Sequence, residues 1–71
     1  MKSLNRIENG KSCTVTWMVN DVAAQIKEFI GLTENTIVQM KLNHGKAGVI
    51  IAFDGRRYAM CETAAKAVMV E

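Results

Sequence analysis

His44, Cys13, Cys61 and Asp54 are the side chains in this sequence that could bind a metal or act on an electrophile, and five methionines add softer donors. A structural metal site in a small domain normally shows itself by close ligand spacing, as in C-x-x-C or H-x-x-x-H. No such spacing occurs. A catalytic thiol at Cys61, beside Glu62-Thr63, would need a histidine base brought to it by the fold, and His44 is the one histidine available. Nothing local supports that pairing. His44 beside Gly45 reads as a solvated loop residue, and both cysteines read as small buried apolar groups. No catalytic residue and no metal or cofactor is expected.

Phosphate chemistry meets a similar objection. Gly45-Lys46-Ala47-Gly48 carries two glycines and a lysine, but no helix start follows it to complete a phosphate-binding loop. Arg56-Arg57 follows a turn and reads as an exposed pair that could meet an anion or a protein.

The elements that must carry these residues are short. Asn9-Gly10 is a turn before the first strand. Cys13, Val15, Trp17 and Val19 alternate with Ser12, Thr14, Thr16 and Met18, which places Trp17 in the core. Asn20 or Asp21 caps a helix whose apolar stripe is Val22, Ile26, Phe29 and Ile30, with Gln25, Lys27 and Glu28 outside. Gly31 ends that helix in a left-handed conformation, and Leu32 folds back onto Ile26. Glu34-Asn35 is a turn. Val38, Met40 and Leu42 mark a strand over 37–42, and Val49, Ile51 and Phe53 mark another.

Asp54-Gly55 is a two-residue hairpin turn, with Gly55 supplying positive φ. It sets a register in which Phe53 faces Arg56, Ile51 faces Tyr58, Val49 faces Met60 and Ile50 faces Ala59. Glu62 to Lys66 allows one helical turn, and Val68-Met69-Val70 closes the chain as a strand. The expected fold is mainly β with a helical insertion between strands 1 and 2 and a helical turn before the last strand. About five short strands from so short a chain can curl into a small barrel, which removes exposed edges.

Ile37 and Ile50 fall on the faces opposite the alternating core sets. With Ala59 and Ala52 they either form a small exposed apolar patch or pack under the helix. In the first case Ile37, Ile50 and Ala59 are candidate partner-binding residues, with Arg56 and Arg57 at the rim.

Size and composition agree with a binding module. A single domain of 71 residues buries only about 60% of its unfolded surface. It is 49% hydrophobic and lacks proline, which argues against disorder. A net charge of +2, with basic residues scattered among seven acids, gives no nucleic-acid footprint. Met1-Lys2-Ser3-Leu4-Asn5-Arg6 is no secretory leader, so a cytoplasmic location with reduced thiols is expected. No apolar run approaches the ~20 residues of a membrane helix.

Several motifs, in this order and spacing, resemble the ferrous iron transport protein A (FeoA) family over essentially the whole chain. They are Gly10 before the first strand; Ile30-Gly31-Leu32-Thr33, a turn at Glu34-Asn35-Thr36, then Val38 and Met40; the hairpin Asp54-Gly55-Arg56-Arg57-Tyr58-Ala59-Met60; and the closing Ala65-Lys66-Ala67-Val68-Met69-Val70. The resemblance implies an SH3-like barrel with a helical insertion and no catalytic residues. It implies a non-enzymatic cytoplasmic accessory protein of bacterial ferrous iron uptake, acting on the GTP-binding domain of a membrane iron transporter. Two rivals are a regulatory SH3-like domain related to those of iron-dependent repressors, and a small metallochaperone carrying iron on Cys13, Cys61 or His44.

Overall fold

The computed structural model describes residues 1–71, Asn20 by its backbone alone. Six strands form one antiparallel sheet: β1 (Lys2–Ser3), β2 (Ser12–Met18), β3 (Ile37–Asn43), β4 (Val49–Phe53), β5 (Arg56–Met60) and β6 (Val68–Val70), in the order β1-β6-β2-β3-β4-β5. Helix α1 (Asn20–Ile30) lies between β2 and β3, and the short α2 (Glu62–Lys66) lies before β6. β2 changes partner midway. Ser12–Thr14 pair with β3, and Val15 to Met18 pair with β6, which lets one continuous sheet bend around a core.

The sheet stays open, contrary to the closed five-strand barrel expected. The sixth strand, β1, has two residues that pair with Val70 and Met69, and it carries no alternating pattern to reveal it. The 3-10 turn Leu4–Arg6 follows at once and packs on α2 and β6. The sheet therefore ends at β1 on one side and at β5 on the other.

The largest wholly buried side chains are Leu4, Leu32, Met40, Ile51, Val15, Val38, Val68 and Val70. They come from the start of the chain, the helix exit and every long strand but β5, which adds Met60. Asn43 locks the N-terminal arm onto this core. Its Nδ2 donates to the carbonyls of Asn5 (2.8 Å) and Ile7 (2.9 Å), and its Oδ1 accepts from the Gly45 amide (2.9 Å). Its own amide donates to Asn9 Oδ1 (2.6 Å).

Two β-bulges displace the simple alternation. Val15 faces Val70 but Trp17 faces Met69, so Thr16 is the extra residue, and its Oγ1 donates to the Met69 carbonyl (3.2 Å). The inward set becomes Cys13, Val15 and Met18, and Trp17 turns outward with 54% exposure instead of filling the core. On β3, Met40 faces Ile51 and Leu42 faces Ile50, so Lys41 is the extra residue. Leu42 accordingly leaves the core side and is only half-buried.

Helix α1 starts one residue earlier than expected. Val19, in extended conformation, is its N-cap and no side chain caps it, so Asn20 and Asp21 are helical residues and not caps. The Val19 amide donates to the Ala67 carbonyl (2.9 Å), which fixes the entry to the helix. Asp21 in the first turn favours the positive end of the helix dipole. The inward stripe is Ile26, flanked by half-buried Val22, Ala23 and Ile30. At 100° per residue, Phe29 lies roughly 75° from the centre of that stripe. It is 79% exposed, against the expectation that it would pack.

The helix exit follows the residues that specify it. Gly31 adopts φ 74°, ψ 17°, and its amide donates to the Lys27 carbonyl (3.1 Å). Leu32 is fully buried, Asn35 takes φ 72°, and the Asn35 amide donates to the Val15 carbonyl (2.7 Å). The β4–β5 hairpin has the expected register at all five pairs, with φ 53° at Asp54 and 74° at Gly55.

Candidate interaction surface

The candidate surface is built on β5, which pairs with β4 on one side only. Alternation along β5 sends Arg57 and Ala59 to the outer face, opposite Ala52 and Ile50. Tyr58 and Met60 point to the core side, where the Tyr58 and Phe53 rings stack with centroids 4.9 Å apart. Arg56 and Arg57 are both exposed and, being adjacent, project to opposite faces. Ile50 is half-buried and Ala59 is exposed.

Two grooves meet along Ala59, Met60 and Cys61. One, of 210 Å³, is walled by Val22, Ile26, Phe29 and Ile30 of α1 and by Ala64. The other, of 390 Å³, runs past Ile50 to Val49, Gly48 and His44. Ile50 is half-buried and lines the second groove beside Val49 and Ala59. Ile37 is 68% exposed but stands apart. Gln39 faces Ala52, so Ile37 is four residues along the sheet from the level of Ile50, roughly 13 Å. The structure brings together Ile50, Ala59 and Arg57, with Arg56 across the strand, and leaves Ile37 out.

Phe29 is the member of this surface that sequence periodicity missed, because it sits just outside the helical stripe. Trp17 was missed for another reason, the bulge at Thr16, and it belongs to the β2–β6 face beside half-buried Met69. A third groove, near the N-terminus, mixes Lys2, Arg6 and Lys11 with Glu8 and Glu71, so it presents no single sign of charge.

The thiols differ. Cys13 is buried, and desolvation pushes its thiol above the ordinary range, which keeps it protonated and unreactive. Cys61 is exposed at the junction of the two grooves, contrary to the expectation of a buried group, because it follows the last β5 residue and precedes α2. Among the described residues, no three His, Cys, Asp or Glu side chains gather as metal ligands. His44 and Cys61 line one groove and Cys13 lies in the core. At the helix exit, a hydrogen bond from its own backbone amide holds the Glu34 carboxyl below the usual carboxylate range, and Lys27 at 3.4 Å adds to this.

No protein-family model matches the chain, and no curated protein matches it by sequence. Solved structures do. A crystal structure of iron uptake regulatory protein FeoA superposes with a TM-score of 0.85 at 28% identity, over 96% of this chain and 92% of that one. The chain is FeoA-like. Stenotrophomonas maltophilia FeoA, crystallised with zinc and described as a prokaryotic SH3 domain protein, matches at TM-score 0.80 and 21% identity, over 100% of this chain and 91% of that one. The same fold occurs within a longer protein. A manganese-dependent transcriptional repressor in complex with manganese matches at TM-score 0.86 and 20% identity, over 97% of this chain and 35% of the repressor. The FeoA-like fold here is thus the SH3-like arrangement, with its sheet left open at β1 and β5. Among the described residues, no helix is long and apolar enough to cross a membrane.

Proposed function

We propose that this FeoA-like chain is a non-enzymatic accessory protein of ferrous iron uptake, working in the cytoplasm on the GTP-binding domain of a membrane iron transporter. The observation that carries the reading is the mutual match to FeoA, at 28% identity and nearly full coverage of both chains. The repressor match is weaker in sequence, at 20% identity, and the scattered basic residues give no DNA footprint. The contact surface in this reading is Ile50 and Ala59 with Arg56 and Arg57 at its edge, an apolar centre with a charged rim of the kind transient interfaces use. Ile37 is a separate, secondary contact.

The test is co-expression with a ferrous iron transporter that carries a GTP-binding domain. The tagged chain retains the GTP-binding domain, and Ile50→Asp weakens that retention while the monomer stays folded. The isolated chain hydrolyses no nucleotide. Nucleotide hydrolysis by the pure protein, or tight binding to duplex DNA in physiological salt, would refute the proposal.

A further inference from the structure

A closed barrel has no edge, but this sheet has one at β5. In a two-residue hairpin the pair beside the turn, Phe53 and Arg56, exchanges hydrogen bonds, and bonded pairs then alternate along the strands. Tyr58 and Met60 therefore bond to β4, whereas the N–H and C=O groups of Arg57 and Ala59 point away from it. Among the described residues, neither has a backbone hydrogen bond outside the ladder. Both are exposed.

Natural edges are blunted by prolines, bulges, short length, charged side chains or a covering helix or loop. β5 has none of the first three: it runs five residues, pairs in unbroken register and contains no proline. Both bulges lie elsewhere, at β2–β6 and β3–β4, and the opposite edge, β1, has only two residues. What β5 does carry is charge, with Arg56 and Arg57 on opposite faces of its hairpin end and no acid within the strand. At its other end the two grooves flank Ala59, Met60 and Cys61, one beneath Phe29 and Val22 and one beside Ile50.

We infer that β5 is a docking edge to which an extended segment of a partner protein adds as a seventh, antiparallel strand, with apolar residues over Ala59–Cys61 and acidic residues over Arg57 and Arg56. Main-chain bonds to Arg57 and Ala59 supply the affinity, and side chains alternating between the two grooves supply the selectivity. The acidic end is argued from charge: two arginines on opposite faces match consecutive acidic residues, which also alternate in a strand. This mode of recognition deepens the proposed accessory role and rests on its premise that the chain works by binding a protein.

The probe is the peptide acetyl-Thr-Val-Tyr-Val-Thr-Asp-Glu-amide, titrated to roughly 1 mM into isotope-labelled protein and followed by amide NMR. Its control carries two lysines in place of Asp-Glu. The expected result is a shift of the Arg57 and Ala59 amides with slowed hydrogen exchange at those two positions. The double variant Arg56→Glu, Arg57→Glu weakens binding about tenfold at low salt. Ala59→Pro is the decisive variant. Its lost N–H faces outward, so the ladder to β4 survives and the melting temperature holds, while peptide binding is lost. Ala59→Ser keeps both, and Tyr58→Pro, which removes a bond to β4, unfolds the hairpin.

Three results would overturn the inference: no amide shifts, equal binding of the lysine control, or full binding by a folded Ala59→Pro. A concentration-dependent dimer abolished by Ala59→Pro would overturn it too, by giving the edge to a second copy. Because no transporter is present, failure here leaves the transporter pull-down unaffected, and failure of the pull-down leaves this result unaffected.

Discussion

Gly48→Ala should be far more damaging than its size suggests. Gly48 has φ 107° and ψ −167°, a region that only glycine occupies comfortably, and strain there costs an L-residue about 1–3 kcal/mol. A Cβ at this position would lie 2.5 Å from the Met60 carbonyl oxygen and 3.3 Å from the Cys61 Cα. Both are backbone atoms at the end of β5, so no side chain can swing aside. Relief requires moving that end of β5 or opening the turn closed by the His44 amide on the Gly48 carbonyl (2.9 Å), worth about 1 kcal/mol. The total is on the order of 2–4 kcal/mol. A chain of this length has roughly 4–10 kcal/mol to lose.

Gly31→Val provides the internal comparison. Gly31 also has positive φ, but nothing lies within 4 Å of its added Cβ. A larger side chain there should cost less, about 1–2 kcal/mol, because only the left-handed backbone is strained. Urea unfolding followed by circular dichroism measures both. With a slope of ~1–2 kcal/mol per molar urea, Gly48→Ala should lower the midpoint by about 2 M or leave the protein unfolded from the start. If Gly48→Ala costs no more than Gly31→Val, the close approach of the turn to β5 is wrong.

Other expectations follow from the same packing. Asn43→Ala should destabilise by about 2–3 kcal/mol and speed amide exchange in β1, since it strips donors from the Asn5 and Ile7 carbonyls; unchanged exchange at the N-terminal arm would count against that role. Acrylamide should quench native Trp17 almost as well as denatured Trp17, and Trp17→Ser should shift stability by less than ~0.5 kcal/mol; blue-shifted native emission would contradict the outward-facing side chain. Iodoacetamide should label one thiol in the native protein, Cys61, and both after denaturation; early labelling of Cys13 would show that the core is not sealed. Because burial raises the folded pKa of Cys13 above its ordinary value of 9.0, the folded state holds this proton more tightly than the unfolded one. Stability from this group is therefore present below pH 9.0 and declines above it, and Cys13→Ala should remove that alkaline slope in melts.

Local chemistry was legible in the sequence where a few adjacent residues decide the outcome. Asp54-Gly55 demands positive φ at both positions, and that turn alone carries the register of all five β4–β5 pairs. Gly31 followed by an apolar Leu32 marks a helix end that folds back on the core. Cooperative features were not legible. β1 exists because Val70 and Met69 offer it a ladder, and nothing in Lys2-Ser3 announces that. Of the candidate contact residues, Arg56, Arg57 and Ala59 were placed by the turn, whereas Phe29 joins the surface because it lies just outside the inward stripe of its helix.

The bulges carry the deeper lesson, because they link the misread core to the open edge. A bulge has no composition of its own: Thr16 and Lys41 look like ordinary outward residues of alternating strands. Each nevertheless shifts the phase beyond it, which sends Trp17 and Leu42 outward and draws Met18 in. Bulges also add local twist, and here they fall in the β2–β6 and β3–β4 pairings. The β4–β5 pair keeps unbroken register to the end of the sheet, where the outward groups of β5 have no ladder partner. Since Met40 faces Ile51 and Leu42 faces Ile50, deleting Lys41 should close the β3–β4 ladder without a slip: Leu42 stays outward, Asn43 stays opposite Val49, and only the local twist of the bulge is lost. Cross-strand NMR contacts measure this, and a deletion variant in which Leu42 becomes buried would show that Lys41 is not the extra residue of β3.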